Sequence, residues 1–280
     1  MVPLSTTFCA DDADMVIRAA GKLDFRVHKC ILSLVSPLFE EVLTGSPQSP
    51  TDAPGILPHL DVQDSPKTWE NILRTIYPMS NPTIDDLDDL ESVLLVAREY
   101  QIQSIIDIHQ KGLENWAFIQ RDPLRLYAIA CMLGFEDQAK YVARNAELLA
   151  ITRRSDVSDL EGLTVDSYHN LVSFLAERDN EWDQTLGEAR ISLDPNCDCN
   201  TQWKESLYNK VKKNLKRPYL RTEEIYLKAL EDRWRYPQPA CTSVIKCSFP
   251  SLEIKTFIER MMKEREKVCD KLVYEKRYVK

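Results

Sequence analysis

Residues 12–43 read DADMVIRAAGKLDFRVHKCILSLVSPLFEEVL, and residues 60–78 read LDVQDSPKTWENILRTIYP. In the first stretch an apolar run at Met15, Val16 and Ile17 meets a turn at Ala20-Gly21-Lys22. Leu23, Phe25 and Val27 then alternate with Asp24 and Arg26. A period of two on either side of a turn predicts a half-buried hairpin. Cys30, Ile31, Leu32, Leu34 and Val35 follow as a short helix. Ser36-Pro37 then supplies the N-cap and first-turn pair of another helix, which bears Leu38, Phe39, Val42 and Leu43. In the second stretch the run from Ile56 to Val62 predicts a third strand. Ser65-Pro66 starts a helix whose apolar face is Trp69, Ile72, Leu73 and Ile76. Between the two lie residues 46–58, where Pro47, Pro50, Pro54 and Pro58 mix with Ser, Thr, Asp and Gly. That composition supports neither a ladder nor a helix interior, so an exposed loop is expected.

Helix dominates beyond residue 78. Thr83 is expected to cap a helix with Asp85 and Asp86 in its first turn and Leu87, Leu90, Leu94 and Ala97 on one face. Ile102, Ile105, Ile106, Leu113 and Trp116 continue in helical spacing. Asp122-Pro123 opens the next segment, which carries Leu124, Tyr127, Cys131 and Leu133 and stops at Gly134. Ala139, Val142, Ala143 and Ala146 mark one more helix, and Thr164 starts another with Tyr168, Leu171, Val172 and Leu175. A terminal helix runs from about Ser251, and its face of Ile254, Phe257, Ile258, Met261 and Val268 is expected to pack on its own domain. The fold class is α+β: a small three-stranded sheet with helices, then a mainly α-helical C-terminal region.

Composition removes several functions. The 280 residues are 44% hydrophobic and 29% charged, as in an ordinary folded protein, and seven glycines are too few for a turn-rich sandwich. A net charge of −8 makes the chain a poor general binder of nucleic acid. No run approaches the ~20 apolar residues that span a bilayer, so a cytoplasmic or nuclear protein without membrane contact is expected. Phosphate-cradling, dinucleotide, HExxH and GxSxG motifs are all missing, which argues against an enzyme. The acidic group Asp85, Asp86, Asp88 and Asp89 reads as a solvated helix start rather than as acid/base machinery.

The same stretches that set the fold resemble the BTB/POZ domain in their order of elements, over about Asp11 to Ile119. The likeness rests on Asp14 opening the first strand, Phe25 with His28-Lys29 entering the first helix, Ser36 with Phe39, Leu60-Asp61-Val62, and Ile76-Tyr77. It implies a non-enzymatic protein-interaction module that pairs with itself. By resemblance the homodimer surface is the first helix, at His28, Cys30, Ile31, Leu32, Leu34 and Val35, and a two-fold interface suits it. Asp14 and Lys29 match the acidic and basic positions of the family's pocket beneath that surface. Residues 1–120 are then the BTB/POZ domain, residues 121–191 a helical extension similar to the BACK region, and residues 192–280 a helical C-terminal region. The whole most resembles the fungal single-BTB group. Many members act as scaffolds or adaptors, some docking a cullin-type ubiquitin ligase. The loop where cullin binders carry a hydrophobic-x-Glu motif reads SPQSPTDAP here, at residues 46–54.

Two features of the C-terminal region carry chemistry of their own. Cys197, Cys199, Cys241 and Cys247 supply the four thiolates of a structural zinc site, but CxC and Cx5C are not the CxxC pairs that place two ligands on one turn. Free thiols are the plainer reading and zinc the alternative. The run Lys204, Lys210, Lys212, Lys213, Lys216 and Arg217, interleaved with Trp203, Tyr208 and Tyr219, reads first as a solvated helix face. Its alternative is a nuclear regulatory protein that contacts nucleic acid through residues 204–221.

Overall fold

The computed structural model describes residues 2–20, 22–45, 57–152, 162–189, 209–216, 223–225, 227 and 251–276. The chain divides into two compact units. One comprises Met1–Phe118 with Leu133–Gln138, and the other comprises Ile119–Met132 with Ala139–Lys280.

The first unit holds a three-stranded sheet of order β2-β1-β3, formed by β1 (Met15–Ala19), β2 (Leu23–Val27) and β3 (His59–Val62). β1 and β2 are antiparallel with Ile17 opposite Phe25, while β1 and β3 are parallel with Ile17 opposite Leu60. Alternation decides the faces: Met15, Ile17, Ala19, Phe25 and Val27 are buried, and Arg18 and Asp24 form a bidentate ion pair on the other face at 2.7 and 2.9 Å. The hairpin turn puts Ala20 at φ 46°, in left-handed backbone. β3 begins later than the apolar run from Ile56 predicts. Pro58 has no N–H for the ladder, so it offers only its carbonyl, to the Val16 amide at 2.9 Å, and the strand starts at His59.

Helices cover the buried face. They are α1 (Lys29–Val35), α2 (Pro37–Gly45), α3 (Pro66–Ile76), α4 (Leu87–Glu99) and α5 (Gln103–His109). Their core unites Leu32, Phe39, Trp69, Ile72, Leu73, Val93, Val96, Ala97, Ile102 and Ile105 with the sheet residues. Burial of this many large side chains, each stabilising by about 1.5–3 kcal/mol, is what holds so small a sheet in place. Ser65 caps α3 as its sequence predicts, accepting from the Thr68 amide at 3.1 Å with Pro66 following. Thr83 does not cap α4, which starts instead at Leu87 after the extended Asp86. Ile84 packs on the core from the extended segment that leads into Asp86. α4 ends in a Schellman turn: Gln101 sits at φ 55°, and the Ile102 amide reaches the Ala97 carbonyl at 2.7 Å.

A short segment also covers the outer edge of β2. The Ser5 amide donates to the Asp24 carbonyl at 2.8 Å, and the Asp24 and Arg26 amides donate to the Pro3 and Phe8 carbonyls, each at 2.9 Å. Phe8 is buried and packs edge-on against Phe25 and Tyr77. Nothing in the alternation of residues 1–10 announces this pairing.

The second unit is helical where it is described. It contains the second half of α6 (Trp116–Arg121), most of α7 (Pro123–Leu133) and of α8 (Glu136–Asn145), then α9 (Leu148–Thr152), α10 (Val165–Glu188) and α11 (Ser251–Lys276). α7 stops before Gly134 at φ 74°, as the sequence predicts. Thr164 caps α10, accepting from the Ser167 amide at 3.1 Å. α11 packs along α10, and Trp182, Leu186, Val211, Leu215, Ile225, Phe257, Ile258 and Met261 share one core.

Candidate protein-interaction site

α1 is seven residues long, too short to be stable alone, so its surroundings must fix it. Its N-cap, His28, has extended backbone and makes no side-chain cap bond. Two other residues take over that task. The Asp14 carboxylate accepts from the Lys29 amide at 2.8 Å, and the Tyr77 hydroxyl oxygen accepts from the His28 amide at 2.8 Å. Both are first-turn donors that have no partner within the helix, and a carboxylate there also suits the helix dipole. The His28 ring lies between Tyr77, with Nδ1 3.1 Å from the hydroxyl, and Asp12, with Nε2 3.4 Å from a carboxylate oxygen. Burial pushes the Tyr77 hydroxyl above its ordinary range, while the bond from the His28 amide acts the other way.

At the far end Ser36 serves two helices. Its amide closes α1 on the Leu32 carbonyl at 3.1 Å, and its hydroxyl accepts from the Phe39 amide at 3.1 Å to open α2. The same hydroxyl donates to the Tyr100 carbonyl, and the Tyr100 ring stacks on Phe39 with centroids 5.1 Å apart. α1 is therefore clamped at both ends by residues 49 to 64 positions away in sequence.

With its ends fixed, the helix sorts its side chains. Leu32 is 0% exposed and belongs to the core, so it supports the helix from beneath and does not itself reach a partner. Val35 packs against the same core and Ile31 is half-buried. Leu34, by contrast, is 85% exposed, and Cys30, one turn before it on the same side, is exposed too. Of the residues named from sequence for the interface, Cys30 and Leu34 are thus the ones α1 offers outward, with His28 and Ile31 half-buried beside them. The pocket pair Asp14 and Lys29 meets through backbone rather than as side-chain charges. Asp14 is exposed and meets the Lys29 backbone, and Lys29 is half-buried. The capping roles of Tyr77 and Ser36 carry the site as much as the residues on α1 do. Ser36-Pro37 signals its cap in sequence, whereas nothing local ties Tyr77 to His28.

Cys197, Cys199, Cys241 and Cys247 lie outside the described residues. Part of the basic run, residues 209–216, is described: Val211 and Leu215 are wholly buried, and Lys216 pairs with Asp183 at 2.8 Å. The carbonyl of Leu215 accepts from the Trp182 indole at 3.0 Å, which ties this segment to α10. Lys204, Arg217 and residues 218–221 lie outside the described residues. In the acidic group, Asp88 and Asp89 occupy the first turn of α4, and Asp89 pairs with Lys67.

A sheet with its buried face sealed by helices stands beside a short clamped helix that holds an apolar side chain in water. Residues 5–115 match the family model of the BTB/POZ domain, and the chain carries that domain. BTB/POZ domains are protein-interaction domains, not enzymes, and generally self-associate and bind other proteins. The match is to the domain family and speaks to no subgroup of it. No curated protein matches the chain.

Proposed function

We propose that this chain is a non-enzymatic scaffold or adaptor that pairs with a second copy through α1 and holds a target with the helical residues beyond 120. The observation that carries the reading is Leu34, 85% exposed on a helix whose Leu32 and Val35 pack into the core beneath it. An exposed leucine alone means little, but this one sits on a rigid, doubly capped element, and a two-fold interface uses such a patch twice. Docking of a cullin-type ubiquitin ligase, in the cytoplasm or the nucleus, is the finer part of the reading and rests on the domain family. Contact with nucleic acid finds less support, because Val211, Leu215 and Lys216 of the basic run are spent on packing and on Asp183.

Light scattering across a concentration series tests the pairing. The wild-type chain is expected at twice its monomer mass, and Leu34→Asp at the monomer mass with an unchanged melting temperature, since nothing buried is altered. A wild-type chain that stays monomeric at the highest concentration refutes the pairing. Coprecipitation with a cullin, absent from the Leu34→Asp variant or present in both, separates docking that needs the dimer from docking that does not. No coprecipitation removes the ligase role.

A further inference from the structure

β2 offers its even-numbered residues outward. Asp24 uses both amide and carbonyl, and Arg26 its amide, on segment 3–8 rather than on β1. On the solvent face the two side chains stand two residues apart with opposite charge. Asp24 is held by Arg18, and Arg26 meets Asp11 at 3.2 Å.

We propose that the outer edge of β2 is a docking surface for the same edge of a second copy, and that segment 3–8 is a strap that covers it until displaced. Edge strands are templates for further pairing unless something blunts them. Two identical edges meeting antiparallel across a two-fold axis have few registers in which outward-facing residues oppose each other. With the axis at Asp24 the acids face each other, and with the axis at Arg26 the guanidiniums do. With the axis at Phe25, Asp24 of each copy lies opposite Arg26 of the other. Directly opposed outward residues exchange both backbone bonds, so this register forms four N–H to carbonyl bonds and two charge pairs at once. Like charges opposed destabilise the other two registers. An axis at Leu23 would set Asp24 opposite Lys22, but the Lys22 amide is spent on the Ala19 carbonyl, so only the Phe25 register completes both the backbone bonds and the charge pairs.

The strap is held lightly enough to act as a gate. It contributes three backbone bonds and two buried residues, Ser5 and the apolar anchor Phe8, which packs 6.0 Å from the Phe25 ring centroid and 5.4 Å from that of Tyr77. When it leaves, Arg26 exchanges Asp11 for Asp24 of the second copy and each lost backbone bond is remade. Pairing through this edge is distinct from pairing through α1. A domain that used both surfaces would grow beyond a dimer.

The test is light scattering on the full chain, in a Leu34→Asp background so that α1 pairing does not enter. Phe8→Asp releases the anchor, and its mass is expected to double relative to the same background at equal concentration. Adding Arg26→Glu sets acid against acid and returns the mass to the starting value, as Asp24→Arg does with its bases. Mixing those two charge variants restores the doubling, because each then supplies the opposite charge. A Phe8→Asp chain that melts cooperatively without gaining mass overturns the proposal, and so does a doubling that ignores the charge at 24 and 26. Should Phe8→Asp fail to fold, deletion of residues 2–8 opens the same edge and is read by the same outcomes.

Discussion

His109 shows how one side chain makes the first unit sensitive to acid. It is buried at the end of α5, and burial alone holds its imidazole below the ordinary value. The Thr75 hydroxyl already donates to the Asn71 carbonyl at 2.8 Å, so towards the ring it accepts, and Nε2, 3.2 Å away, carries the proton. The neutral tautomer is thus the form the fold selects. Above the unfolded value of about 6.5 both states are neutral and the full stability is present. As the pH drops below that, the unfolded chain takes up the proton first, and stability falls until the pH passes the lowered folded value. Thermal melts at about pH 7.5 and about pH 5.5 are expected to show a larger loss for wild type than for His109→Gln, whose amide keeps a donor for Thr75 without titrating. Equal losses in the two proteins would remove His109 from the acid response. Single residues also mark what sequence makes legible. Gly134 reads as a helix stop because glycine takes positive φ freely, whereas Gln101 performs the same task at φ 55° with no such signature. Leu32 and Leu34 look alike in a short apolar run, and only the direction of α1 over the sheet buries one and exposes the other.

At the scale of elements, caps decide where helices stop, and the most consequential cap in the second unit comes from a distant chain position. Arg178, midway along α10 and 4% exposed, donates from Nη1 to the carbonyls of Ala143, Arg144 and Ala146, at 3.3, 3.1 and 2.9 Å. These groups end α8, where carbonyls lack intrahelical donors and the dipole favours a cation. Asp179 accepts from the other side of the guanidinium, at 2.6 and 2.9 Å, and remains half-exposed. Arg178→Ala therefore strips buried carbonyls of their donor, and a loss on the order of 3 kcal/mol is expected in chemical denaturation. Asp179→Asn touches only a partly solvated pair and is expected to cost less than about 1 kcal/mol. A similar cost for the two variants would show that the carbonyl contacts carry no weight. In sequence Arg178 is one more charge on a polar helix, because its partners lie 32 to 35 residues earlier. The strands and capped helices of residues 12–78 were legible by contrast, since periodicity, Ser-Pro pairs and the turn at Ala20 are all local signals. The strap on β2 was not, because a single bridge at Leu4 leaves no period to read.

Over the whole molecule the cysteines report which surfaces are closed, since they are spread from residue 9 to residue 269. Cys9 and Cys30 are exposed in the first unit. In the second, burial raises the half-buried Cys131 and the buried Cys269 thiols above their ordinary range, so both are poor in thiolate. Alkylation of the native chain followed by peptide mass spectrometry is accordingly expected to label Cys9 and Cys30 first, Cys131 more slowly, and Cys269 only with unfolding. Early labelling of Cys269 would show that α11 does not seal the core it shares with α10. The same experiment tests the proposed alternatives at Cys197, Cys199, Cys241 and Cys247. Zinc bound by all four makes them resist alkylation together and yield together when a chelator is added, because metal-bound thiolates are released as a set. Free thiols react without the chelator, each at its own rate. Cys30 adds a last arm to the measurement. It stands one turn from Leu34, so pairing through α1 shields it in the wild type and leaves it reactive in Leu34→Asp. Equal rates in the two proteins would place the self-association surface elsewhere than on α1.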